Sequence, residues 1–360
     1  MNSKVTVVIL NWNGLALLQR FLSSVTSSTY PNLDIVLADN ASEDASVAWT
    51  QTNFPTIQVI RHAQNWGFSK GNNEAIRQTG GDYVALLNND VEVTSDWLEP
   101  LVGELDRNPD VAAVQPKLLD VNSKSRFEYA GGSGGRMDRH GFTFTRGRLF
   151  DSIEEDTGQY DDTQEIFWAT GAAILLRRAV LETTGLLDER FEFHMEEIDL
   201  CWRIRRAGFG IRVVPASRVY HAGGSSLPRG SSKKAYYNYR NSLLMLHKNL
   251  PQNGRFRTLA VRLLLDVIAL LRSLLTFNGG DAWAMVRAYK DFLDIRGQTS
   301  GVSYQAPDIR DKTSGTREDP GMVDVLPSYA GSIILDYFLR GRKTFSDLPS
   351  GKFRLGHDAD

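Results

Sequence analysis

The chain of 360 residues carries a formal net charge of −2 and an ordinary share of apolar and charged residues, so it can bury a large core in one domain with appendages or in two domains. Its single cysteine, Cys201, excludes an intramolecular disulfide and favours a reducing compartment. Because the N-terminus enters an apolar strand without a basic, apolar leader segment, we expect a cytoplasmic protein. We expect no nucleic-acid partner.

Strand and helix patterns alternate along the first hundred residues. Strands are predicted at 5–10, 33–38, 57–61 and 83–88, and helices at 15–25, from 44 onward and at 69–78. Repeated strand and helix units predict an α/β fold with a mainly parallel sheet and helices on both faces. Residues 110–165, with clustered glycines and short alternating runs, are interpreted as an insertion of short β elements.

The second half of the core is predicted from Ile166. It contains a strand at 172–176, a helix at 196–206 and a last strand at 211–214 with its exit at 218–221. From residue 232 the pattern is helical, with helices at 235–248, 255–277 and 282–295. We therefore predict a main domain at 1–250 (halves 1–110 and 166–225), a helical extension at 251–296, a polar linker at 297–330 and a C-terminal tail at 331–360.

The most apolar segment, 259–277, contains Arg262, Asp266 and Arg272. Three central charges cost roughly 8 to 10 kcal/mol of insertion free energy, more than the apolar residues return, so the segment is not expected to span a bilayer. Arg255, Arg262 and Asp266 share one face at helical spacing and leave a broad apolar face. Such a helix either packs on its own domain or on a second subunit of a homodimer, or lies on a membrane surface.

Polar side chains follow three of the predicted strands. Asn11 and Asn13 follow the first, Asp39 follows the second, and Asn88, Asn89 and Asp90 end the fourth. In open α/β sheets ligands bind at the carboxyl ends of the strands, so these groups predict a ligand edge. A turn after the fourth strand and a helix N-cap after Asp39 are the plain structural alternatives.

The segment after the third strand combines glycines with amides. Helix N-termini of this composition favour phosphate, and we expect a donor contact from residues here, namely Asn65, Gly67, Phe68, Lys70 and Asn73. The segment is neither a G-x-G-x-x-G turn after the first strand nor a Walker A loop, which argues against dinucleotide oxidoreductases and P-loop NTPases.

Three carboxylates, Glu196, Glu197 and Asp199, cluster at a predicted helix start. They complement the helix dipole, but their number also makes one of them a candidate general base. His221 follows the last strand, where it can meet Asp90 across the sheet edge. One imidazole among oxygen ligands suits Mn²⁺ or Mg²⁺ better than zinc. Cys201 is assigned to packing.

The motifs occur in an order that resembles one known family. They are VTVVILNWNG, ADNASED, NWGFSKGNNEAI, LLNND, TGAAILLRR, GLLDERFEFHMEEIDLCWRIRRAGF and VYHAGG, over about residues 4 to 250. Together they resemble the family 2 glycosyltransferases of the GT-A (Rossmann-like) fold, and within them the bacterial rhamnosyltransferase-like branch. The last hundred residues lie outside this resemblance.

The resemblance implies an inverting transfer of a sugar from a nucleotide-diphosphate donor to an acceptor hydroxyl. Asn88, Asn89 and Asp90 occupy the family's metal-binding D-x-D position, of which only the last aspartate is kept. Asp39 matches the carboxylate that contacts the nucleoside, and His221 matches a histidine that completes the metal site. Glu197 stands where the family usually has the aspartate that serves as base; the choice between Glu196 and Glu197 stays open.

Residues 201–260 contain twelve lysines and arginines and no acid, which predicts anion binding. Among them Arg229, Lys233, Lys234 and Arg240 are expected to close over the donor diphosphate as a mobile loop. Others would hold an anionic lipid carrier or a membrane surface, which places the protein peripherally at the inner face of the plasma membrane.

The resemblance leaves the donor and acceptor as expectations. The donor would be dTDP-rhamnose or a UDP-sugar, and the acceptor a polysaccharide or a lipid-linked oligosaccharide. Two alternatives remain: a non-catalytic nucleotide-sugar-binding protein, indicated by Asn88 in place of an aspartate, and a sugar-nucleotide pyrophosphorylase, whose Gly-rich basic loop is replaced here by NWNG.

Overall fold

The protein is described here from a computed structural model covering residues 2–223, 230–296 and 328–354. Arg229, most of the predicted polar linker and the last six residues of the predicted tail lie outside these ranges. The strands are β1 (Val5–Asn11), β2 (Leu33–Asp39), β3 (Gln58–Arg61), β4 (Tyr83–Asn88), β5 (Val91–Val93), β6 (Val111–Asp120), β7 (Ser123–Phe127), β8 (Gly135–Met137), β9 (Thr143–Thr145), β10 (Arg148–Leu149), β11 (Ser152–Ile153), β12 (Gln164–Glu165), β13 (Ala173–Arg177) and β14 (Gly210–His221).

The helices are α1 (Leu15–Thr26), α2 (Ser46–Asn53), α3 (Gly67–Arg77), α4 (Leu98–Arg107), α5 (Arg178–Thr184), α6 (Glu196–Arg206), α7 (Ser232–Asn249), α8 (Gln252–Leu275) and α9 (Gly279–Arg296). A π-helical turn at Leu335–Leu339 and 3-10 turns at Phe345–Asp347 and Ser350–Lys352 follow. The helices that the sequence pattern indicates therefore all form, with ends that differ by a few residues.

The main sheet has the strand order β12-β14-β6-β13-β4-β1-β2-β3, with β5 paired to β14 and β7 to β6. Strands β3, β2, β1 and β4 are parallel, as are β6 and β14, whereas β13 runs antiparallel to both of its neighbours. The predicted class, an α/β fold with a mainly parallel sheet flanked by helices, is confirmed.

Each face of the sheet has its own apolar core, because the central strands are apolar on both sides. On β4, Val84 and Leu86 pack with side chains from α3, α5, α6 and α7. Ala85 and Leu87 point to the other face, where α1 and α4 cover them. This alternation fixes the register of β4, and therefore which polar side chains stand at its carboxyl end.

Strand β6 corrects the interpretation of residues 110–165 as an insertion throughout. It lies inside the main sheet between β14 and β13. Its polar Gln115 and Lys117 obscure the apolar run, yet both are fully buried. The lysine is held by ion pairs with Asp156 and Asp161, and these carboxylates offset the cost of burying its charge.

Strand β14 joins two segments that the sequence pattern separates. Its register against β6 shifts between Val214 and Arg218, so a bulge interrupts the alternation in the middle of a single strand. The bulge lets the strand continue to His221, and its last three residues pair with β5.

Residues 328–354 pack against the insertion. Tyr329, Ile333 and Tyr337 form a small apolar core with Phe144 and Leu149 of the sheet β11-β10-β9-β8. Tyr329 also bridges Asp138 and Phe353 through backbone pairing. The described part of the predicted tail is thus an integral piece of the insertion.

Helices α7, α8 and α9 follow the sheet and pack on one another. Within the described ranges, none of the helices is both long and apolar enough to cross a membrane.

Candidate active site

The carboxyl ends of β1, β2 and β4 meet at one edge of the sheet. Asn11 pairs in register with Asp39, and Leu10 pairs with Asn88. The Asn11 amide donates to Asp39 Oδ1 at 3.2 Å and accepts from Asn89 Nδ2 at 3.0 Å. The three side chains form one connected network, which we call the donor edge (Asn11, Asp39, Asn89).

Gly14 allows this network to form. A Cβ atom at this position would lie 2.3 Å from Asn11 Oδ1 and 2.5 Å from Asn89 Nδ2. Beside it, Asn13 has a positive φ of 49° and accepts a hydrogen bond from the Glu43 backbone at 2.8 Å. Asn13 thus fixes the loop after β1 to the loop after β2.

The start of α3 borders the donor edge. Gly67 has a φ of 71°, its N–H donates to Asn65 Oδ1 at 2.9 Å, and its carbonyl accepts from Asn40 Nδ2 at 3.0 Å. The Lys70 ammonium lies 4.7 Å from the centre of the Trp66 ring. These contacts fix the N-terminus of α3, and the first turn of a helix favours an anion.

Asn73, predicted to contact the donor, is buried and serves as a clamp between α3 and the loop before α6. Its amide donates to the Leu187 carbonyl at 2.8 Å and accepts from the Leu187 N–H at 3.1 Å. Ser69 adds a bond of 2.6 Å to the Phe191 carbonyl. The amide of Asn73 is therefore committed to holding the two halves together.

Asp90 and His221 lie side by side, with His221 Nε2 3.1 Å from Asp90 Oδ1. The pairing of β5 with β14 brings them together, because His221 stands opposite Val91. A third residue, Glu128, which the sequence analysis missed, places Oε1 3.4 Å from His221 Nδ1. All three side chains are buried.

Burial alone would lower the pKa of His221, but the carboxylates of Glu128 and Asp90 outweigh burial and raise it to about 10. Burial likewise favours protonated Glu128, yet the charge of His221 holds the Glu128 pKa below its usual value. The three side chains therefore form a charged, mutually dependent row, which we call the histidine row (Asp90, His221, Glu128).

Asp90 and His221 are residues that would hold a divalent ion. His221 Nε2 and Asp90 Oδ1 share a hydrogen bond of 3.1 Å, and an ion would take the place of the proton between them. Glu128 stands behind Nδ1, where an orienting carboxylate belongs. In the part of the chain that the structure describes, no group of three or more His, Cys, Asp and Glu side chains forms a complete metal site. Remaining ligands would have to come from substrate and water.

Glu196 and Glu197 begin α6 and form the acid pair. Burial, and then the charge of Glu197, raises the pKa of Glu196 well above its usual value. Part of the Glu197 side chain reaches solvent, but its Oε2 atom is buried and has no hydrogen-bond partner among the described residues. Burial accordingly raises the pKa of Glu197 to about 7. A carboxylate with this pKa can take a proton near neutral pH.

The turn that precedes the acid pair is strained. His194 and Met195 both have positive φ angles, 66° and 72°, which side chains with a Cβ rarely adopt. Asn241 of α7 holds this turn by donating to the carbonyls of Phe193 and His194 at 2.7 and 2.9 Å. The position of the acid pair is thus imposed by the surrounding structure.

Asp199, the third carboxylate predicted at this helix start, points elsewhere. It pairs with Arg203 and Lys248 at 2.9 and 2.8 Å and accepts from Asn249 at 2.8 Å. Burial would raise its pKa, but Arg203 and Lys248 hold it below its usual value. These contacts join α6 to α7 and use the carboxylate structurally.

The three basic residues of α7 that are predicted to contact the donor have different surroundings. Arg240 is buried and donates to Asn241 and to the Arg190 carbonyl at 2.8 and 3.1 Å. The Lys234 ammonium lies over the Tyr129 ring, 5.1 Å from its centre, next to the insertion, while Lys233 is exposed. Lys234 thus contacts the residue that follows Glu128 of the histidine row.

A short series of contacts links the acid pair to the end of β4. A Cβ at Gly171 would lie 3.6 Å from Glu197 Cβ and 3.3 Å from the Phe68 ring. The next residue, Ala172, accepts a hydrogen bond of 2.9 Å from the Asn88 N–H. Asp90 follows two residues later, so the acid pair and the histidine row share one edge of the sheet.

The arrangement matches a known class of enzyme. Residues 6–185, half of the chain, match the family described as "Glycosyl transferase family 2". The structure of GalNAc-T7 with UDP, GalNAc and Mn²⁺ superposes with a TM-score of 0.52 at 19% identity, covering 66% of this chain and 47% of that one, and supports the GT-A-like fold. The chain belongs to glycosyl transferase family 2, as its motifs predict.

Two relatives differ in how much of their length is matched. Uncharacterized protein y4gI of Sinorhizobium fredii is 30% identical over 230 residues, which is 60% of this chain and 24% of that protein. N-acetylglucosaminyl-diphospho-decaprenol L-rhamnosyltransferase of Mycobacterium tuberculosis is 24% identical over 261 residues, covering 68% of this chain and 85% of the relative. This chain thus spans about a quarter of the first relative and most of the second.

Proposed function

We propose that this glycosyltransferase moves a sugar, with inversion at the anomeric carbon, from a nucleotide-diphosphate donor to a hydroxyl of a polysaccharide or lipid-linked oligosaccharide. The observation that carries the proposal is the acid pair: Glu197 has a pKa of about 7 and a buried, unpartnered Oε2 at the same sheet edge as the histidine row. A base and a site for a divalent ion at one edge are what a single displacement from a diphosphate donor requires.

Glu197 is proposed as the base. Its Oε2 takes the proton of the acceptor hydroxyl while that oxygen attacks the anomeric carbon, and the bond to the diphosphate oxygen breaks in the same step. The hydroxyl attacks from the face opposite the leaving group, so the configuration inverts. Glu196 keeps its proton, because its pKa lies well above the usual value, and Asp199 holds α6 to α7.

The donor edge and the start of α3 are proposed to hold the nucleotide. Asp39 Oδ1 already accepts from Asn11, and its carboxylate would bind a ribose or base N–H or O–H. The free N–H groups at the start of α3, near Lys70, suit the diphosphate. Lys234 is proposed to add positive charge from the side of α7, and Arg240 to position the loop before α6.

Asp90 and His221 are proposed to hold Mn²⁺ or Mg²⁺. When bound, the ion supplies positive charge to the departing diphosphate. Support comes from the separation of the two side chains, 3.1 Å, and from the Mn²⁺ in the GalNAc-T7 structure. Glu128 orients the imidazole by facing its other nitrogen.

The sugar proposed first is rhamnose from dTDP-rhamnose, with UDP-sugars as the alternative. The support is the rhamnosyltransferase of Mycobacterium tuberculosis, of which this chain covers 85%. That relative's name also supports a lipid-linked acceptor.

The test is release of the nucleoside diphosphate from a panel of labelled nucleotide sugars with Mn²⁺ and a lipid-linked acceptor. Wild type should turn over one donor, whereas Asp90→Ala and Glu197→Gln should turn it over far more slowly. A non-catalytic binding protein would instead be stabilised by the donor and show no turnover even as wild type. Pyrophosphate-dependent formation of a nucleoside triphosphate would point to the pyrophosphorylase.

A further inference from the structure

The helical hairpin α8–α9 presents an unusually large apolar surface. Its side chains lie at i, i+3, i+4 and i+7 spacing along α8 and continue across the turn into α9. We call the following exposed residues the apolar face: Phe256, Leu263, Leu264, Val267, Ile268, Leu271, Leu274, Leu275, Phe277, Trp283, Val286 and Leu293. Contiguous apolar surface of this extent marks an interaction site.

Helix α8 is oriented with its central charged residues inward. Arg262 and Asp266 are buried and pair with each other at 2.9 Å. Ser242 of α7 accepts from Arg262 at 3.0 Å, and Tyr289 of α9 donates to Asp266 at 2.8 Å. These partners fix the rotation of α8, so the outward direction of the apolar face is specified by the fold.

The charge around the apolar face is basic. Helix α8 contains four arginines and one acidic residue, and that acid is the buried Asp266. Arg257 and Arg272 are exposed beside the face. Helix α9 carries three basic and three acidic residues, with Arg287 paired to Asp291 at 3.6 Å, so the excess positive charge of the hairpin comes from α8. A basic rim complements a negatively charged surface. A second copy of the same face would bring arginines of both copies together, which disfavours self-association.

Aromatic residues stand at the turn of the hairpin. Phe277 is 97% exposed and Trp283 is 69% exposed. Tryptophan is enriched at the boundary between lipid and water. The surface continues onto residues 328–354, where the Phe338 ring lies 5.9 Å from the Arg272 guanidinium carbon and both Phe338 and Leu339 are exposed.

The start of α9 borders a cavity between α7 and the insertion. This cavity of about 340 Å³ is lined by Asp281 at the start of α9, by Lys234 of α7 and by Tyr129, the neighbour of Glu128. A surface that covers the turn of the hairpin would therefore border this cavity. The position suits an acceptor that stays attached to that surface.

We infer that the apolar face docks on an anionic lipid bilayer, with α8 and α9 lying in the interfacial plane and their basic rim at the lipid headgroups. The apolar side chains enter the boundary between headgroups and acyl chains, and the arginines contact lipid phosphates. This binding requires neither donor nor metal, so it stands or falls independently of the proposed transfer.

The experiment is co-sedimentation of the full chain, without donor, with vesicles of phosphatidylcholine alone or of equal parts phosphatidylcholine and phosphatidylglycerol. Wild type should bind the anionic vesicles and bind the neutral ones much less. Arg257→Gln with Arg272→Gln should weaken binding roughly tenfold or more, and Ile268→Ser with Leu271→Ser should abolish it. All four side chains are exposed, so folding should be kept, and circular dichroism checks this.

Matched control substitutions are available outside the hairpin, on α1, on α4 and in the loop after β1. Arg20→Gln with Arg107→Gln removes the same charge from exposed positions on α1 and α4 and should leave vesicle binding unchanged. Trp283→Ser should weaken binding, whereas Trp12→Ser, at a tryptophan that is 57% exposed in the loop after β1, should not.

Three results would overturn the inference. The first is absence of wild-type binding to anionic vesicles. The second is equal loss of binding in the control and hairpin variants. The third is a dimer by light scattering that Ile268→Ser with Leu271→Ser converts to monomer without any vesicle binding, which would assign the face to a second copy. Vesicle binding that survives in an Asp90→Ala variant with no turnover would leave the inference intact.

Discussion

The donor edge and the acid pair treat buried polar groups in opposite ways. In the donor edge, Asn11 donates to Asp39 at 3.2 Å and accepts from Asn89 at 3.0 Å, so each of the three side chains has a partner within the protein. In the acid pair, Glu196 and Glu197 each keep a buried carboxylate oxygen without a partner among the described residues. The hydrogen bonds of the donor edge make it rigid. The unpaired carboxylate oxygens of the acid pair remain able to bind a substrate proton.

The largest expected effect is the difference in kcat between substitutions of the two residues of the acid pair. Glu197→Gln removes the proposed base and should lower kcat by about 10² to 10⁴ without weakening donor binding. Glu196→Gln is the matched control, since a residue that stays protonated loses no charge on becoming an amide; it should retain most activity. Single-turnover kinetics with bound donor distinguish the two. If Glu196→Gln is the inactive variant, the base assignment is reversed.

The pH dependence of turnover should follow the acid pair. Burial raises the pKa of Glu197 to about 7, and only its ionised form accepts a proton. Below this pH, kcat/KM should fall about tenfold per pH unit, and above it should level off. A profile of wild type from acid to neutral pH measures this, with the residual activity of Glu197→Gln as the pH-independent reference. A wild-type profile that is flat through pH 7 would contradict the assignment.

The histidine row should respond to loss of its inner carboxylate. Glu128→Gln weakens the orientation of His221 and should lower Mn²⁺ affinity by about 10 to 100-fold. Electron paramagnetic resonance of free Mn²⁺ during titration measures this without any turnover. Glu92→Gln is the control, because Glu92 is a nearby carboxylate on β5 whose side chain pairs with Lys124. Equal affinity in Glu128→Gln and wild type would remove Glu128 from the site.

Substitutions in the donor edge and in the acid pair should change the free energy of unfolding in opposite directions. Asn11→Ala leaves Asp39 and Asn89 without their shared partner and should lower the free energy of unfolding by about 1 to 3 kcal/mol. Glu197 has a folded pKa raised from 4.5 to about 7, so the stability it gives is present at low pH and is lost as pH rises towards 7. Glu197→Gln should therefore stabilise the protein by about 1 to 2 kcal/mol above pH 7. Urea unfolding at pH 8 measures both, and destabilisation by Glu197→Gln would contradict the comparison.

The smallest expected effect is at α7. Lys234→Ala should raise the KM for the donor several-fold, because Lys234 faces Tyr129 beside the cavity. Lys233→Ala, at the exposed neighbour, should leave this KM unchanged. Steady-state kinetics at varied donor concentration compare them. Equal effects of the two substitutions would show that only general charge matters.

Much of the fold could be predicted because the local patterns and the packing agree. The continuous apolar runs of β1 and β4 indicate central strands, and polar residues directly after them mark the ligand edge. β6 was misassigned because Gln115 and Lys117 interrupt its run, and only the tertiary pairing of Lys117 with Asp156 and Asp161 makes that acceptable. The packing of Tyr329 on the insertion has no local signal, since it depends on residues far apart in sequence.

Some residues of the candidate site can likewise be predicted from local motifs, and others depend on tertiary structure. Asp90, His221 and Glu197 stand in recognisable motifs, so the sequence selects them. Glu128 lies in the insertion, in a stretch without a motif, and its burial against His221 arises from tertiary structure. Likewise Asp199 and Asn73 resemble site residues in sequence, but their side chains serve as clamps between helices and loops. Which of several neighbouring polar residues points into the site is decided by packing.

The most direct test of the account is a crystal structure of the protein with Mn²⁺ and the nucleoside diphosphate of its donor. We expect the ion to contact Asp90 and His221 and the nucleoside to lie beside Asp39. Glu197 should face the terminal phosphate across the space left for the sugar. An ion bound without Asp90 and His221, or a nucleotide whose terminal phosphate points away from Glu197, would contradict this expectation.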